Sequence, residues 1–320
     1  MDLSEDELIA AIGRVLSGAG PEVLVVPGDD AAVVRPGSGE LVLTTDAMVE
    51  GVHFLTDRTT PRDLGYKAIA VTVSDIAAMA GSPRFALCAL TLTDAVDAAW
   101  VVELAGGMRE CCDEFALSLV GGNLSRGREL SIVVSATGEV GPGRAVPRDG
   151  ARHGDRVVVT GSLGGAAAGL RAATQRSWTD DERDALRRSM RPVPRVGEGS
   201  ILAAHGVTSM MDVSDGLALD LSRLCAASGV GARIELDRLP VHPAATLTEA
   251  LGGGEDYELL GTLPGPDAVE EARTDLRERF GVSLSEIGAI IGDRGDGVIV
   301  AVGEDGMERP IAIEGWDHFR

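Results

Sequence analysis

Carboxylates are where this sequence concentrates its chemistry. Asp75 stands in an apolar run, Ala68 to Ala80, and is the only charge between Lys67 and Arg84. A helix apolar nearly all round is a buried helix. A carboxylate inside one is costly unless it is paired or holds a metal ion. Other carboxylates fall where chain elements should end. Asp30 follows a strand and a glycine turn, and Asp46 closes an apolar strand behind Thr44 and Thr45. Asp212 and Asp215 flank Ser214 at a strand-to-helix junction, and Glu255, Asp256 and Glu258 follow three glycines. Any one of these could be a turn or cap residue. Taken together, each beside Gly, Ser or Thr, they suit hard cations held by oxygen ligands.

Such a site could handle phosphates only if a metal supplies much of the positive charge. The chain has one lysine, Lys67, no Gly-x-x-x-x-Gly-Lys-Ser/Thr phosphate loop and no protein-kinase signature set. Phosphates would have to be met by Mg²⁺, which reconciles a net charge of −21 with an anionic substrate. His153, His205 and His242 have no partners at metal-ligand spacing and read as structural or surface residues. His53, seven residues after Asp46, is a better candidate. Trp316 is a large ring in a chain with 3 % aromatics, and both core packing and stacking on a flat ligand fit it.

Composition narrows the class. A chain of 320 residues, 44 % of them apolar, suffices for two medium domains. With 29 basic against 50 acidic residues it lacks the positive footprint that nucleic acid or an anionic membrane surface requires. No apolar run approaches a membrane span, and the acidic start reads as no signal or transit peptide. Cys88, Cys111, Cys112 and Cys225 make no CxxC pair, and adjacent Cys111 and Cys112 suit a reducing, cytoplasmic compartment.

These residues need elements to position them. Ser4 and Glu7 form a capping box ahead of a helical stripe of Leu8, Ile9, Ile12, Val15 and Leu16. Strands are expected at 23–26, 41–45, 86–93, 117–120 and 130–140, with Gly121-Gly122-Asn123 as a turn between the last two. Helices are expected from Pro61 to about Ala80 and from Asp94 to about Cys112. Turn residues from Gly141 to Gly150 mark the boundary between two α+β domains, 1–140 and 141–320. Beyond it, strands at 156–160, 210–213, 232–236 and 297–302 mix with helices near 165, 180–190, 215 and 268–280.

Seven segments stand out in order: Gly28-Asp29-Asp30-Ala31-Ala32, Thr44-Thr45-Asp46-Ala47-Met48-Val49-Glu50-Gly51-Val52-His53-Phe54, Asp63-Leu64-Gly65-Tyr66-Lys67-Ala68, Ser74-Asp75-Ile76-Ala77-Ala78-Met79, Met211-Asp212-Val213-Ser214-Asp215-Gly216-Leu217, Gly253-Gly254-Glu255-Asp256-Tyr257-Glu258-Leu259 and Gly315-Trp316-Asp317-His318-Phe319. Singly each motif is weak, but the ordered set is specific. It resembles the thiamine-monophosphate kinase family, whose motifs follow in the same order. The resemblance implies the two-domain α+β architecture of aminoimidazole ribonucleotide synthetase and its ATP-dependent relatives. Its N-terminal α/β domain, 1–140, binds ATP and Mg²⁺ and pairs in a homodimer. Its C-terminal domain, 141–320, completes the nucleotide and substrate site.

The implied reaction passes the γ-phosphoryl group of ATP to thiamine monophosphate, giving thiamine diphosphate, the last step in making it. By motif, Asp30, Thr44, Thr45, Asp46, Asp75, Asn123, Asp212 and Asp215 become ligands of several Mg²⁺ ions. Gly122, Asn123, Arg148 and Ser214 become nucleotide contacts, and His53, Glu255 and Trp316 line the thiamine phosphate site. Asp46, Asp75, Asp212 and Arg148 carry the catalytic assignment. One position departs from the pattern: the family's Gly-Gly-Asp is Gly121-Gly122-Asn123 here, which keeps an oxygen but loses a charge. The acceptor is already an anion and needs no strong base, so direct in-line transfer is expected. The alternatives are a superfamily relative with another acceptor and a non-catalytic nucleotide or thiamine-phosphate binding protein.

Overall fold

The computed structural model describes residues 4–16, 21–25, 31–292, 297–303, 306–311 and 315–316. The chain divides into two compact units, 1–76 with 81–143, and 77–80 with 144–320.

In the first unit, helix α1 (Glu5–Val15) opens on the capping box: Ser4 Oγ accepts from the Glu7 amide at 3.3 Å, and the Glu7 carboxylate accepts from the Ser4 amide at 2.8 Å. A short ribbon of β1 (Val23–Val25) and β2 (Val33–Val34) follows. The main sheet is built from β3 (Glu40–Val49), β4 (Ser82–Leu92), β5 (Ser118–Arg126) and β6 (Ser131–Val140), in the order β3-β6-β4-β5. Helix α2 (Pro61–Ala78) joins β3 to β4, and α3 (Ala98–Glu114) makes the crossover between parallel β4 and β5. The two helices meet through glycine. A Cβ on Gly107 would lie 1.7 Å from the Arg62 carbonyl oxygen, so only a residue without one fits the approach.

Two expectations need correcting here. Asp46 does not end its strand, because β3 runs ten residues in unbroken register with β6, from Glu40 opposite Val140 to Val49 opposite Ser131. Gly121-Gly122-Asn123 is not a turn but the middle of β5, paired with Leu87, Cys88 and Ala89 of β4. Glycine is required there by close packing, since a Cβ on Gly122 would sit 1.8 Å from the Cys88 carbonyl oxygen.

The second unit is a sheet of β7 (Arg156–Thr160), β8 (Ser209–Asp212), β9 (Gly231–Glu235), β10 (Leu259–Leu263), β11 (Leu284–Ile291), β12 (Ile299–Val302) and β13 (Glu308–Pro310). Their order is β13-β12-β9-β11-β7-β10-β8, antiparallel except where β12 lies beside β9. The helices are α4 (Gly165–Ala172), α5 (Asp180–Met190), α6 (Val196–Ala204), α7 (Leu217–Ser228), α8 (Leu247–Gly252) and α9 (Pro266–Phe280). Strand β7 sends Val157 and Val159 into one core, with Leu217, Leu221 and Leu224 of α7, and Val158 into the other, with Leu202 of α6 and Leu276 of α9. That alternation is the period of two of a strand buried on both faces.

Replacing Gly107 with Ala is expected to cost about 2–3 kcal/mol of stability by overpacking the α2–α3 crossing. Urea unfolding of the variant against the wild type measures it.

Candidate active site

The first unit presents a carboxylate pair. Thr44 and Asp46 alternate with Thr45 along β3, and Asp75 stands on α2. From Leu64 to Ala78 every residue but Asp75 is buried, so along that stretch the helix opens only at the carboxylate. Thr44 Oγ1 donates to Asp75 Oδ2. Asp46 Oδ2 is buried with no hydrogen-bond partner. Burial, and then the neighbouring Asp75 charge, push the Asp46 carboxyl up to about 6, against a hydrogen bond from Thr72. A buried oxygen without a donor beside a second carboxylate is what a bound cation would satisfy, and oxygen donors of this kind fit Mg²⁺. Among the described residues, no three His, Cys, Asp or Glu side chains are gathered as a metal site. Asp30 lies outside the described residues.

Thr45 faces the other side of the sheet. Its hydroxyl lies 3.0 Å from Ser135 Oγ and donates to the Val134 carbonyl at 3.2 Å. Asn123 is exposed on β5 opposite Ala89, itself opposite Val133, which puts it on the same outer face as Thr45. Two strands separate β5 from β3, about 14 Å at ordinary sheet spacing, so one chain does not bring Asn123 to Asp46. Gly122 precedes it in β5. His53 lies in the turn after β3, where Nδ1 accepts from the Val49 amide at 3.1 Å.

The second unit gathers Asp212, Ser214, Asp215, Glu255 and Trp316 around one turn. Asp212 ends β8, 2 % exposed, opposite Leu259. The Ser214 carbonyl accepts from the Glu255 amide at 2.8 Å, and the Asp215 carbonyl accepts from the Trp316 amide at 3.1 Å. The Trp316 side chain is exposed, while Asp317, His318 and Phe319 lie outside the described residues. Arg148 keeps an exposed side chain on a pinned backbone: its carbonyl accepts from Ser209 Oγ at 2.7 Å and Ser228 Oγ at 2.9 Å.

Asp220, Arg223 and Arg195 were not singled out by sequence reasoning, and Asp256 and Glu258 were read only as members of the carboxylate set. Asp220, fully buried on α7, turns its Oδ2 to the amides of Ser214, Asp215 and Gly216 at 3.1, 2.9 and 3.2 Å. Burial raises its pKa to about 6, against the pull of the amide and Arg223 donors. Arg223 bridges it to Asp215, with 2.9 Å to Asp220 Oδ1. Arg195 makes a two-pronged bond to buried Glu258 at 2.7 and 2.6 Å, which also accepts from Thr160 Oγ1 at 2.7 Å. Asp256 accepts from the Gly164 and Ala166 amides at 2.6 and 3.0 Å, across the start of α4. Glu255 and Tyr257 hold positive φ, +67° and +51°, a strained state for residues with side chains. The Gly-Gly-Gly run ahead of them was the available signal for an unusual backbone here, but it named no partner.

Residues 28–140 match the family model described as AIR synthase related protein, N-terminal domain, and residues 152–301 match the corresponding C-terminal domain. The thiamine-monophosphate kinase of Escherichia coli K12 is 39 % identical over 308 residues, which cover 91 % of each chain. The chain belongs to the thiamine-monophosphate kinase family. Among thiamine-monophosphate kinases of known structure, that of Stenotrophomonas maltophilia K279a matches with a TM-score of 0.83 and 35 % identity, over 97 % of this chain and 99 % of that one. The structure described as AaThiL complexed with AMPPCP and TMP matches with a TM-score of 0.76 and 34 % identity, over 100 % of this chain and 99 % of that one.

Burial, opposed by its two amide donors, raises Asp256 from 3.8 to about 7. Between those values the folded chain keeps a proton that the unfolded chain releases, so stability falls as pH rises through the window and levels off above it. Asp256→Asn is expected to flatten that fall, read from urea midpoints between pH 4 and pH 8.

Proposed function

We propose that this chain transfers the γ-phosphoryl group of ATP to thiamine monophosphate, giving ADP and thiamine diphosphate, as the last step of that cofactor's synthesis. The single observation that carries the geometric side of this reading is the Asp46–Asp75 pair with its unpartnered buried oxygen. Such a pair is unfavourable by itself and suits a cation-dependent reaction between anions. Family membership supports it, since AaThiL was solved with AMPPCP and TMP.

Several Mg²⁺ ions are proposed. Thr44, Asp46 and Asp75 are ligands at the inner face of the first unit's sheet, with Asp30 as a further ligand. Thr45 and Asn123 on the outer face would serve a different ion from Asp46, and Asp212 and Asp215 are ligands in the second unit. Bound there, Mg²⁺ would offset charge on the transferred and leaving phosphate oxygens. Gly122 and Ser214 bind the nucleotide by backbone and hydroxyl, and Arg148 turns its exposed guanidinium to the ATP phosphates. Glu255 and His53 orient thiamine monophosphate, and Trp316 offers its ring as a stacking face for the thiamine rings. The acceptor phosphate is anionic near neutral pH, so no residue need remove a proton from it. What the chain supplies is alignment, and transfer is direct, without a phosphorylated side chain. The domain spanning 1–140 carries the pairing surface and the first carboxylates, and 141–320 completes the nucleotide and substrate residues.

The outer face of the β3-β6-β4-β5 sheet supports a homodimer. Leu41 and Leu43 on β3 are 62 % and 70 % exposed, and Leu87 on β4 is 49 % exposed. Burying a leucine of this kind gains about 1.5–3 kcal/mol. The net charge of −21 and the four buried free cysteines fit a cytoplasmic protein without a nucleic-acid or membrane partner, and no described helix is long and apolar enough to cross a membrane.

Purified protein with ATP, Mg²⁺ and thiamine monophosphate is expected to give thiamine diphosphate and ADP in equal amounts by chromatography. Asp46→Asn is expected to lower kcat/KM at least roughly 100-fold. Binding of both ligands without turnover would favour the non-catalytic reading, and ADP without thiamine diphosphate would favour another acceptor. Leu43→Glu is expected to shift the wild-type dimer toward monomer in sedimentation velocity; an unchanged dimer would place the pairing surface elsewhere.

A further inference from the structure

Helix α7 begins without an ordinary cap. Its N-cap residue, Gly216, has no side chain to offer and sits at φ +117°. Just ahead of it, Asp220 reaches back from inside the helix to three successive amides, those of Ser214, Asp215 and Gly216. Successive N–H groups converging on one point form an anion-binding concavity, and here the chain fills it with its own buried carboxylate.

Each of these amides belongs to a peptide plane whose carbonyl is also engaged. The plane donating from Ser214 carries the Val213 carbonyl, which accepts from the Tyr257 amide at 2.9 Å. The plane donating from Asp215 carries the Ser214 carbonyl, which accepts from the Glu255 amide at 2.8 Å. The plane donating from Gly216 carries the Asp215 carbonyl, which accepts from the Trp316 amide at 3.1 Å. In a trans peptide N–H and C=O point opposite ways and rotate as one body. Three rigid planes therefore stand between Asp220 on one side and Glu255, Tyr257 and Trp316 on the other. The packing leaves little slack: a Cβ on Gly254 would lie 2.5 Å from the Ser214 carbonyl oxygen, and one on Gly315 would lie 2.8 Å from that of Asp215.

We infer that Asp220 is a positioning residue for both substrates, its carboxylate holding the three peptide planes that set Ser214 and Asp215 and tether Glu255 and Trp316. The inference rests on the proposed kinase reading, in which the first two residues serve ATP and its metal and the last two serve thiamine monophosphate. Arg223 completes the arrangement by tying the Asp215 carboxylate to Asp220. Neither Asp220 nor Arg223 needs to touch a substrate for this role.

The test uses the full chain with Asp220→Asn, which keeps an acceptor oxygen but loses the charge, and Asp220→Ala. Leu276→Ala is the control: it opens a cavity in the core on the opposite face of the same sheet. Asp220→Asn is expected to raise KM for ATP and for thiamine monophosphate together, each about tenfold, and to lower kcat about tenfold. Leu276→Ala is expected to lower Tm with both KM values unchanged. A Tm loss in Asp220→Asn with both KM values within about twofold of wild type, or a change in one KM alone, would overturn the inference. Hydrogen exchange supplies the second readout, for Asp220→Asn and, where it folds, Asp220→Ala. The amides of Ser214, Asp215, Gly216, Glu255, Tyr257 and Trp316 are expected to exchange faster, while Val157–Val159 stay protected. If the wild type makes no thiamine diphosphate, the kinase reading fails on its own. Exchange then still decides the tether, and unchanged protection at Glu255, Tyr257 and Trp316 would overturn it.

Discussion

Burying carboxylates without leaving their charge uncompensated is the constraint around which both units are arranged. An isolated buried carboxylate costs several kcal/mol or gives up its charge. The second unit answers with arginine and backbone amides. Glu258 receives Arg195 in a two-pronged bond, and Asp220 receives three amides and Arg223. In the first unit Asp75 takes a hydroxyl from Thr44, and Asp46 Oδ2 is left with no hydrogen-bond partner. Where the protein supplies its own counter-charge it builds scaffold. At Asp46 Oδ2 it withholds a partner, and that oxygen is the one the proposed cation would meet.

The scaffold and the site share atoms. The carbonyls of Ser214 and Asp215, residues read from the sequence as ligand contacts, are acceptors for the Glu255 and Trp316 amides. A turn that bonds in two directions transmits displacement from one side to the other, because its peptide planes are rigid. The strained φ at Glu255 and Tyr257 belongs to the same arrangement, since both amides donate to that turn. Strain of this kind persists only where surrounding bonds over-determine the backbone.

Asp75 could be singled out because a lone charge in an apolar helical run is conspicuous at any resolution of reading, and from Leu64 to Ala78 it is the one residue of α2 that is not buried. The motifs carrying Asp212, Ser214 and Asp215 were recognisable because strand-to-helix junctions bring glycine, serine and aspartate together in local sequence. Asp46 was misplaced at a strand end, since an Asp among apolar residues reads as a stop. Its strand continues because β6 offers ten consecutive partners, and no window of local sequence contains β6. Gly121-Gly122-Asn123 was misread as a turn for the same reason: its glycine answers to the Cys88 carbonyl across the sheet.

By itself, the sequence determined the class of chemistry, the family and the two-domain α+β organisation, because residue types, their order and local periodicity are properties of the chain in one dimension. Tertiary structure alone decided which carboxylates are compensated. It also put Thr45 and Asn123 on the opposite face of the sheet from Asp46, and made Asp220 the residue on which the 213–216 turn rests. Those outcomes depend on strand register and on which distant amide or guanidinium arrives. Asp46 and Asp220 are both aspartates, and only the fold gives one three amides and leaves the other an oxygen without a donor.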